Sequence, residues 1–420
     1  MQSIVVSGKL ACYGHANNRI LGQGERLMDA GTAQANARVA ARWDVRRASL
    51  ASPTHYPAPP VLAAQDVHVF IPDLALWDIW PVQLDDGTLA PVAGGDLWVM
   101  LAAPRTDDPD DRHRLARMRL LFRDSRGWHD CGPLLPDGFS PGSREWSGST
   151  RLDPATGRVT LWFTAAGRRG DGGMSFEQRL FDAVGQLRLD GLLPGIDSWS
   201  LVLPSVHNDG DHYADTARTP GAPGLIKGFR DPYWFRDPAN GQGYILFTGS
   251  RPAGSLQTTF DGVIGMAAAR GPDGVGGFDL LPPLVDGNGQ VNELERPHVI
   301  VHNGQYYLFW SSQAHVFAPG GLMGPTGLYG MVAPSLFGPW QPLNGSGLVL
   351  ANPASEPRQA YAWQVLPGSL EVISFVDHWG LQGRDIAANP ALKAAQFGGT
   401  IAPFVRIALD GAGSRVITAG

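Results

Sequence analysis

The sequence predicts an all-β protein of the sandwich, barrel or propeller type. Three observations support this class: many short β-type runs at roughly even spacing, few helix-like stretches, and 54 Gly and 34 Pro that punctuate the chain throughout. No sequence repeat is visible, so periodicity alone does not single out the propeller. Runs rich in β-branched and aromatic residues between turn residues predict strands at Leu97–Leu101, Val159–Thr164, Tyr244–Thr248 and Val372–Val376.

The clearest local prediction is a hairpin near residue 300. The runs His298–His302 and Gln305–Trp310 flank Asn303-Gly304, a dipeptide that supplies the two positive φ angles of a type I′ turn. One early helix is predicted over Gly24–Val45, which is dominated by Ala, Arg, Met and Leu. We therefore expect a partly helical N-terminal segment, residues 1–60, and a single domain over 61–420, because no linker divides that region.

Composition limits the possible classes of function. With 43% hydrophobic and 17% charged residues the chain is expected to be compact and soluble, and its net charge of −6 argues against nucleic-acid and anionic-membrane partners. No apolar run is long enough to span a membrane, and the first 18 residues lack a signal-peptide pattern. The only cysteines, Cys12 and Cys131, could form one disulfide but cannot build a cysteine zinc site.

Three acidic motifs carry the functional signal: Trp77–Pro81 (WDIWP), Phe229–Pro232 (FRDP) and Glu293–Pro297 (ELERP). Each sets a carboxylate beside aromatic, Arg or Pro residues in strand-like sequence, where a charge is costly unless it is paired or used. Glycosyl transfer requires one carboxylate as nucleophile and another as general acid/base. The alternative is three unrelated surface or salt-bridged acids, which the joint occurrence of the motifs disfavours.

Two of these motifs allow predictions about ionisation. Arg230 beside Asp231 predicts a carboxylate with a depressed pKa that stays ionised and accepts hydrogen bonds from sugar hydroxyls, although a structural ion pair is the alternative. Glu293 and Glu295 lie two residues apart, so on a strand both side chains face the same side. Two close carboxylates tend to raise one pKa, which suits a general acid that works near neutral pH.

Other candidate sites carry weaker signals. The segment Arg144–Ser149 places an acid, an indole and a hydroxyl side by side, which could bind a sugar ring or form only a strand-entry turn. The acidic run Asp107–Asp111 lacks EF-hand spacing and is interpreted as a solvated loop, and the 11 histidines show no metal-binding spacing. We expect neither a metal nor another cofactor.

Together the motifs resemble glycoside hydrolase family 68, which includes levansucrases, inulosucrases and related β-fructofuranosidases. The resemblance runs from about Asp66 to Ile407, and its further motifs are Tyr306–Trp310, Gln359–Tyr361 and Gly398–Pro403. It implies a five-bladed β-propeller with a central funnel-shaped active site and a few peripheral helices. It also implies a secreted protein that binds sucrose and sugar acceptors, whereas the sequence by itself leaves open an intracellular protein, another export route or a leader that is absent from this chain.

The resemblance further implies a retaining fructosyl transfer from sucrose through a covalent fructosyl-enzyme. Asp78 would be the nucleophile, Asp231 the transition-state stabiliser and Glu295 the general acid/base. Water or another sugar would then accept the fructosyl group. The alternatives are a β-fructofuranosidase that mainly hydrolyses sucrose and, from another class, a non-catalytic propeller that binds fructans. The implied substrate-binding residues are Trp77, Trp146, Ser147 and Arg230 around the fructosyl group, with Glu293 and Tyr361 toward the leaving glucose.

Two positions depart from the family pattern. Gln313 stands where the family offers a His or Arg on the acceptor side, unless His315 takes that role, so we expect short products and hydrolysis instead of long polymer. Gram-positive members carry calcium-binding acids where this sequence has Asn292 and, nearby, Leu225. We therefore expect no calcium.

Overall fold

A computed structural model describes residues 40–43, 57–171, 175–208, 210–219, 221–222, 225–252, 254, 259–320 and 323–417. Within these residues the chain is almost entirely β, with two short α-helices, α1 (Arg112–Leu115) and α2 (Pro390–Gln396), which confirms the predicted all-β class. No helix in this part of the chain has the length and apolar character of a membrane span.

The strands of the described residues are β1 Ala41–Arg42, β2 Leu74–Gln83, β3 Pro91–Val92, β4 Gly95–Pro104, β5 Arg117–Asp124, β6 Gly127–Pro133, β7 Arg144–Asp153, β8 Arg158–Ala166, β9 Gln178–Arg188, β10 Gly195–Pro204, β11 Gly221–Ala222, β12 Leu225–Ile226, β13 Phe229–Arg236, β14 Gly243–Ser250, β15 Gly262–Ala269, β16 Phe278–Asp286, β17 Glu295–His302, β18 Gln305–Ser312, β19 Gly327–Ala333, β20 Gln341–Pro342, β21 Leu348–Ala351, β22 Ala360–Val365, β23 Glu371–His378, β24 Phe397–Ile401, β25 Val405–Asp410 and β26 Gly413–Ile417. The four strands predicted from composition lie within β4, β8, β14 and β23.

Most of these strands form antiparallel meanders of four strands. The first is β2-β4-β5-β6 and the second is β7-β8-β9-β10, joined where Val82 and Gln83 of β2 pair in parallel with β7. The third is β13-β14-β15-β16, with β1 parallel to its last strand. The fourth is β17-β18-β19-β20, with β21 also on β19, and the fifth is β22-β23-β25-β26, with β24 also on β23.

The first strands of the five meanders carry the sequence motifs and contact one another. β2 contacts β7, β7 contacts β13, β13 contacts β17, β17 contacts β22, and β22 contacts β2. Each of the five also has a register shift, of the kind that re-aims a side chain away from the regular ladder. The shifts lie between Trp77 and Ile79, Trp146 and Gly148, Arg230 and Tyr233, Glu295 and His298, and Tyr361 and Gln364.

The predicted hairpin is confirmed. His302 of β17 pairs with Gln305 of β18, and the turn residues Asn303 and Gly304 have φ angles of 50° and 73°. Asn-Gly is one of the few dipeptides for which both left-handed conformations are inexpensive, and this turn fixes the register between β17 and β18.

Of the N-terminal segment 1–60, the structure describes residues 40–43 and 57–60. The predicted helix Gly24–Val45 lies almost wholly outside the described residues, and at its end Ala41–Arg42 form a strand instead. There the helix prediction is wrong, because pairing with β16 and burial of Trp43 among the rings of Trp310, Phe317 and Tyr329 outweigh the weak local preference.

Candidate active site

Left-handed backbone places two carboxylates at the register shifts. Asp78 and Asp231 have φ angles of 49° and 61°, and Arg296 and Ala362, at the shifts of β17 and β22, have 50° and 58°. Such conformations cost free energy in residues other than glycine, and they concentrate at functional sites where the surrounding structure enforces them. All four of these conformations lie where the first strands of four meanders are interrupted.

Asp78 is held by a hydroxyl from the neighbouring meander. Ser147 Oγ donates a hydrogen bond of 2.5 Å to Asp78 Oδ2, which joins β7 to β2. Burial raises the pKa of Asp78, while the positive charge of Arg296 and the hydrogen bond from Ser147 act in the opposite direction. The structure thus brings together the proposed nucleophile and a residue of the Arg144–Ser149 segment.

Asp231 is surrounded by hydroxyl groups that the sequence did not predict. Thr248 Oγ1 donates to Asp231 Oδ2 at 2.9 Å, and the main-chain N–H of Asp231 donates to Thr164 Oγ1 at 2.9 Å. Each threonine interrupts an apolar strand, and a buried hydroxyl there needs a partner, so this signal was available in the sequence.

The prediction of a depressed pKa for Asp231 is wrong. Burial raises its pKa to about 6, the charge of Arg230 only partly opposes this, and the negative charge of Glu295 adds to it. The Arg230 Nε atom lies 3.5 Å from Asp231 Oδ2, whereas its Nη2 atom binds two other carboxylates more closely. One guanidinium is shared among three acids, so none receives its full effect.

Arg230 is the shared donor of the site. Its Nη2 atom lies 3.0 Å from Glu293 Oε2 and 2.7 Å from Glu295 Oε1. The side chain is only 7% exposed, and its Nη1 atom is buried with no hydrogen-bond partner among the described residues. A buried N–H without a partner is costly, so this group is suited to bind a substrate hydroxyl.

Glu293 and Glu295 face the same side, as predicted, although Glu293 precedes β17 instead of lying within it. Burial raises the pKa of Glu293 to about 8, against the charge of Arg230. Burial would also raise the pKa of Glu295, but the charge of Arg230 and the hydrogen bond donated by Tyr361 outweigh it and lower that pKa. The pair therefore keeps one proton near neutral pH.

Two buried indoles lie beside α1, a helix absent from the sequence predictions. The ring of Trp77 lies 5.9 Å from that of His113 and 5.7 Å from the guanidinium carbon of Arg112, and Trp146 Nε1 donates to the His113 carbonyl at 3.4 Å. Burial lowers the pKa of His113 to about 3, which keeps its ring neutral. The four residues form an aromatic and cationic wall next to Asp78.

Arg296 ties three of the first strands together and was also missed by the sequence analysis. Its Nη2 atom donates to the carbonyl of Ile79 at 2.7 Å and its Nη1 atom to that of Ala362 at 2.9 Å. Its main-chain N–H donates to Thr248 Oγ1 at 3.1 Å. The residue after Glu295 therefore fixes the separation between the Glu295 and Asp78 strands.

Gln313 directly follows β18, the strand that pairs with the Glu295 strand β17. Ser311, two residues earlier, pairs with Glu295 across the β17–β18 ladder, and Gln313 itself is half-buried. It precedes the 3₁₀ turn Ala314–Val316, which carries His315 on its exposed side. The ring of His315 interacts electrostatically with Glu295, so both residues stay candidates for the acceptor side.

The residues around Asn292 do not fit a calcium ion. Lys227 Nζ lies 2.6 Å from Asp261 Oδ1 and 3.1 Å from Asn292 Oδ1, so the oxygen atoms already surround a cation of the protein itself. Calcium needs six to eight oxygen ligands and would be repelled by this ammonium. The described residues contain no group of three or more His, Cys, Asp or Glu able to hold a metal ion.

Metal independence is the first testable expectation. A chelator should change neither the catalytic rate nor the melting temperature, because Lys227 already neutralises Asp261. The measurement is a thermal melt and an activity assay with and without the chelator. A fall in melting temperature that added calcium restores would contradict this.

The two raised pKa values predict a bell-shaped pH dependence of kcat/KM. As pH falls through about 6, Asp231 becomes protonated and loses the charge that a cationic transition state requires. As pH rises through about 8, the proton held by Glu293 is lost and none remains for the leaving group. Activity should be highest between these values, with circular dichroism at each pH as the control for folding. An acidic limb that does not fall through about 6 would contradict the assignment of Asp231.

Comparison with known proteins gives consistent matches over most of the chain. A model of glycoside hydrolase family 68, described as levansucrase/invertase, matches residues 32–259 and 257–419. A levansucrase from Pseudomonas savastanoi pv. glycinea is 33% identical over 388 residues, covering 83% of this chain and 88% of that protein. A levansucrase from Zymomonas mobilis subsp. mobilis is 34% identical over 360 residues, 80% of each protein. The solved inulosucrase from Halalkalicoccus jeotgali bound to kestose has 38% identity and a TM-score of 0.81, covering 90% of this chain and 95% of that one.

Proposed function

The chain belongs to glycoside hydrolase family 68, the levansucrase/invertase family, and we propose that it transfers fructosyl groups from sucrose through a covalent fructosyl-enzyme. It is a sucrose-dependent fructosyltransferase. The observation that best supports the mechanism is the joining of three carboxylates in one buried network, in which Arg230 contacts Asp231, Glu293 and Glu295.

Asp78 attacks the anomeric carbon of the fructosyl group, and the bond from that carbon to the glucosyl oxygen breaks. Glu295 donates a proton to the departing oxygen, so that glucose leaves as a neutral alcohol. In the second step Glu295 takes a proton from water or a sugar hydroxyl, which displaces Asp78. Two inversions at the same carbon give overall retention.

The proton for the first step comes from the pair of Glu293 and Glu295. Glu295 is ionised while Arg230 and Tyr361 donate to it, and Glu293 holds the proton. A sugar hydroxyl that takes over the hydrogen bond from Arg230 removes the main stabilisation of the Glu295 carboxylate. The pKa of Glu295 then rises, and the proton passes to it within the pair.

Asp231 stabilises the positive charge that develops on the fructosyl ring in the transition state. Its carboxylate accepts from Thr248 and contacts Arg230, so its position is fixed before the sugar binds. A preorganised charge in a buried site costs no reorganisation when the reaction occurs. The free Nη1 of Arg230 would donate to a fructosyl hydroxyl on the same side.

We also propose that the five meanders are the blades of one closed β-propeller with the site in its central funnel. The cyclic order of contacts among the first strands β2, β7, β13, β17 and β22 supports this arrangement. Residues from all five strands would then face one axis, which explains how motifs more than two hundred residues apart in sequence come together.

The decisive experiment is incubation of the purified protein with sucrose, followed by measurement of free glucose and free fructose. Glucose release with less free fructose indicates transfer to sugars, and equal amounts would show that water is the main acceptor. No glucose release from a folded protein would refute the enzymatic function and favour the fructan-binding alternative.

Product length should depend on Gln313. A neutral amide orients an incoming sugar hydroxyl less firmly than a His or Arg, and orientation is a large part of the advantage of a bound acceptor over water. We expect short oligosaccharides and hydrolysis from the natural protein. Gln313→His should lengthen the products and leave sucrose cleavage nearly unchanged, as judged by chromatography of the products.

The matched control for this substitution is Gln341→His on the exposed strand β20, which should not alter the products. Abundant high-mass fructan from the natural protein would contradict the role given to Gln313 and would point to His315 as the acceptor contact.

A further inference from the structure

Lys227 is a buried cation to which the proposed reaction assigns no role. It lies between β12 and β13, and its side chain is 8% exposed. Its ammonium donates to Asp261 Oδ1 at 2.6 Å, to Asn292 Oδ1 at 3.1 Å and to the carbonyl of Thr259. An ammonium has three donors and no acceptor, so all of its hydrogen-bonding capacity is used.

This arrangement fixes the orientation of the Asn292 amide. Because an ammonium can only donate, Asn292 must present its oxygen to Lys227 and its nitrogen to the other side. There Nδ2 donates to the carbonyl of Ile226 and to Glu293 Oε1, both at 3.2 Å. The ammonium of Lys227 therefore determines that the N–H groups of Asn292, and not its oxygen, face Glu293.

Glu293 is consequently held at both of its oxygens. Asn292 binds Oε1, and Arg230 Nη2 binds Oε2 at 3.0 Å while it also binds Glu295 at 2.7 Å. A continuous series of hydrogen bonds thus runs from Lys227 to the proposed acid/base. Ser312 Oγ, which donates to the Glu293 carbonyl at 2.8 Å, fixes the main chain at the same point.

We propose that Lys227 and Asn292 are positioning residues for the acid/base pair, with the buried ammonium orienting the Asn292 amide so that it holds Glu293 against Arg230 and Glu295. This inference rests on the proposed function. It assigns to the Lys227 cluster an effect on catalysis in addition to its effect on stability.

The discriminating substitution is Asn292→Asp. An aspartate still accepts from Lys227, so the buried cation keeps its partners and the protein should fold. The side facing Glu293, however, changes from an N–H donor to a negatively charged oxygen. If the cluster is purely structural, the change costs some stability, because the carbonyl of Ile226 loses its donor, and kcat/KM of the folded protein stays the same. If the cluster positions Glu293, kcat/KM of the folded protein falls.

We expect Asn292→Asp to lower kcat/KM for sucrose by about tenfold or more, since misplacing a catalytic group by an ångström can cost about 10²-fold. The alkaline limb of the pH profile should move to higher pH, because a second negative charge favours the protonated form of Glu293. Asn292→Leu, a neutral change of similar size, should lower kcat/KM without that upward movement.

Lys393→Met serves as the matched control. Lys393 also binds two carboxylates, those of Asp108 and Asp110, each at 2.6 Å, but both of these carboxylates are exposed to solvent. The Lys393→Met substitution should leave kcat/KM and the pH profile unchanged. The kcat/KM values are corrected for the folded fraction, measured by circular dichroism.

A natural kcat/KM and pH profile in both Asn292 variants would overturn the inference and leave the cluster a purely structural one. That result is distinguishable from failure of the proposed function, because the unmodified protein is assayed for glucose release in the same experiment. Sucrose cleavage by the unmodified protein together with unaffected variants rejects only the positioning role.

Discussion

Replacing Asp78 by Asn is expected to lower kcat for sucrose cleavage by about 10⁴-fold or more, the scale seen when the nucleophile of a covalent mechanism is removed. The amide keeps the shape of the side chain and can still accept the hydrogen bond of Ser147 Oγ. It cannot form the covalent intermediate. Because burial already raises the pKa of Asp78, a neutral group at this position should not reduce the melting temperature.

The measurement is glucose release under saturating sucrose, with a thermal melt for each protein. Asp237→Asn is a suitable control, because Asp237 is also a buried carboxylate and accepts a hydrogen bond of 2.5 Å from Tyr306 OH. That variant should lose some stability and keep its turnover. If the Asp78→Asn variant retained more than about a tenth of the natural activity, Asp78 would not be the nucleophile.

Glu295→Gln is expected to lower kcat for sucrose by about 10²- to 10⁴-fold, the usual contribution of a positioned general acid. The amide preserves the side-chain size: its oxygen can accept from Arg230, and its NH2 group can donate to the hydroxyl oxygen of Tyr361, so the network should keep its geometry. It can neither donate a proton to the leaving oxygen nor accept one from the incoming sugar.

A fructosyl donor with a fluoride leaving group separates this role from that of Asp78. Fluoride departs without protonation, so Glu295→Gln should still form the covalent intermediate from it, whereas Asp78→Asn should not. Glu177→Gln, which removes a charge partner of Arg168 away from the acid pair, is the control and should behave as the natural protein does with both donors. Equal losses on sucrose and on the fluoride donor would argue against an acid role for Glu295.

The local features of the fold could be predicted from sequence because short-range chemistry determines them. The Asn303-Gly304 turn was predictable since few dipeptides tolerate two left-handed residues, and the alternation of β-type runs with turns gave the all-β class. The carboxylates were identifiable because a charge in an apolar strand is costly unless it is paired or takes part in catalysis or binding. The strand at Ala41–Arg42 was not, because its pairing with β16 joins residues far apart in sequence.

The ionisation state of each carboxylate was decided by tertiary structure alone. Proximity to Arg230 in the sequence suggested an ionised Asp231 with a low pKa, yet folding shares that guanidinium with Glu293 and Glu295 and buries all of them. The links from Ser147 to Asp78 and from Lys227 through Asn292 to Glu293 likewise join distant segments. Sequence identifies which groups can carry charge, but a pKa depends on how much solvent a group loses and which charges surround it, and only the packed chain sets both.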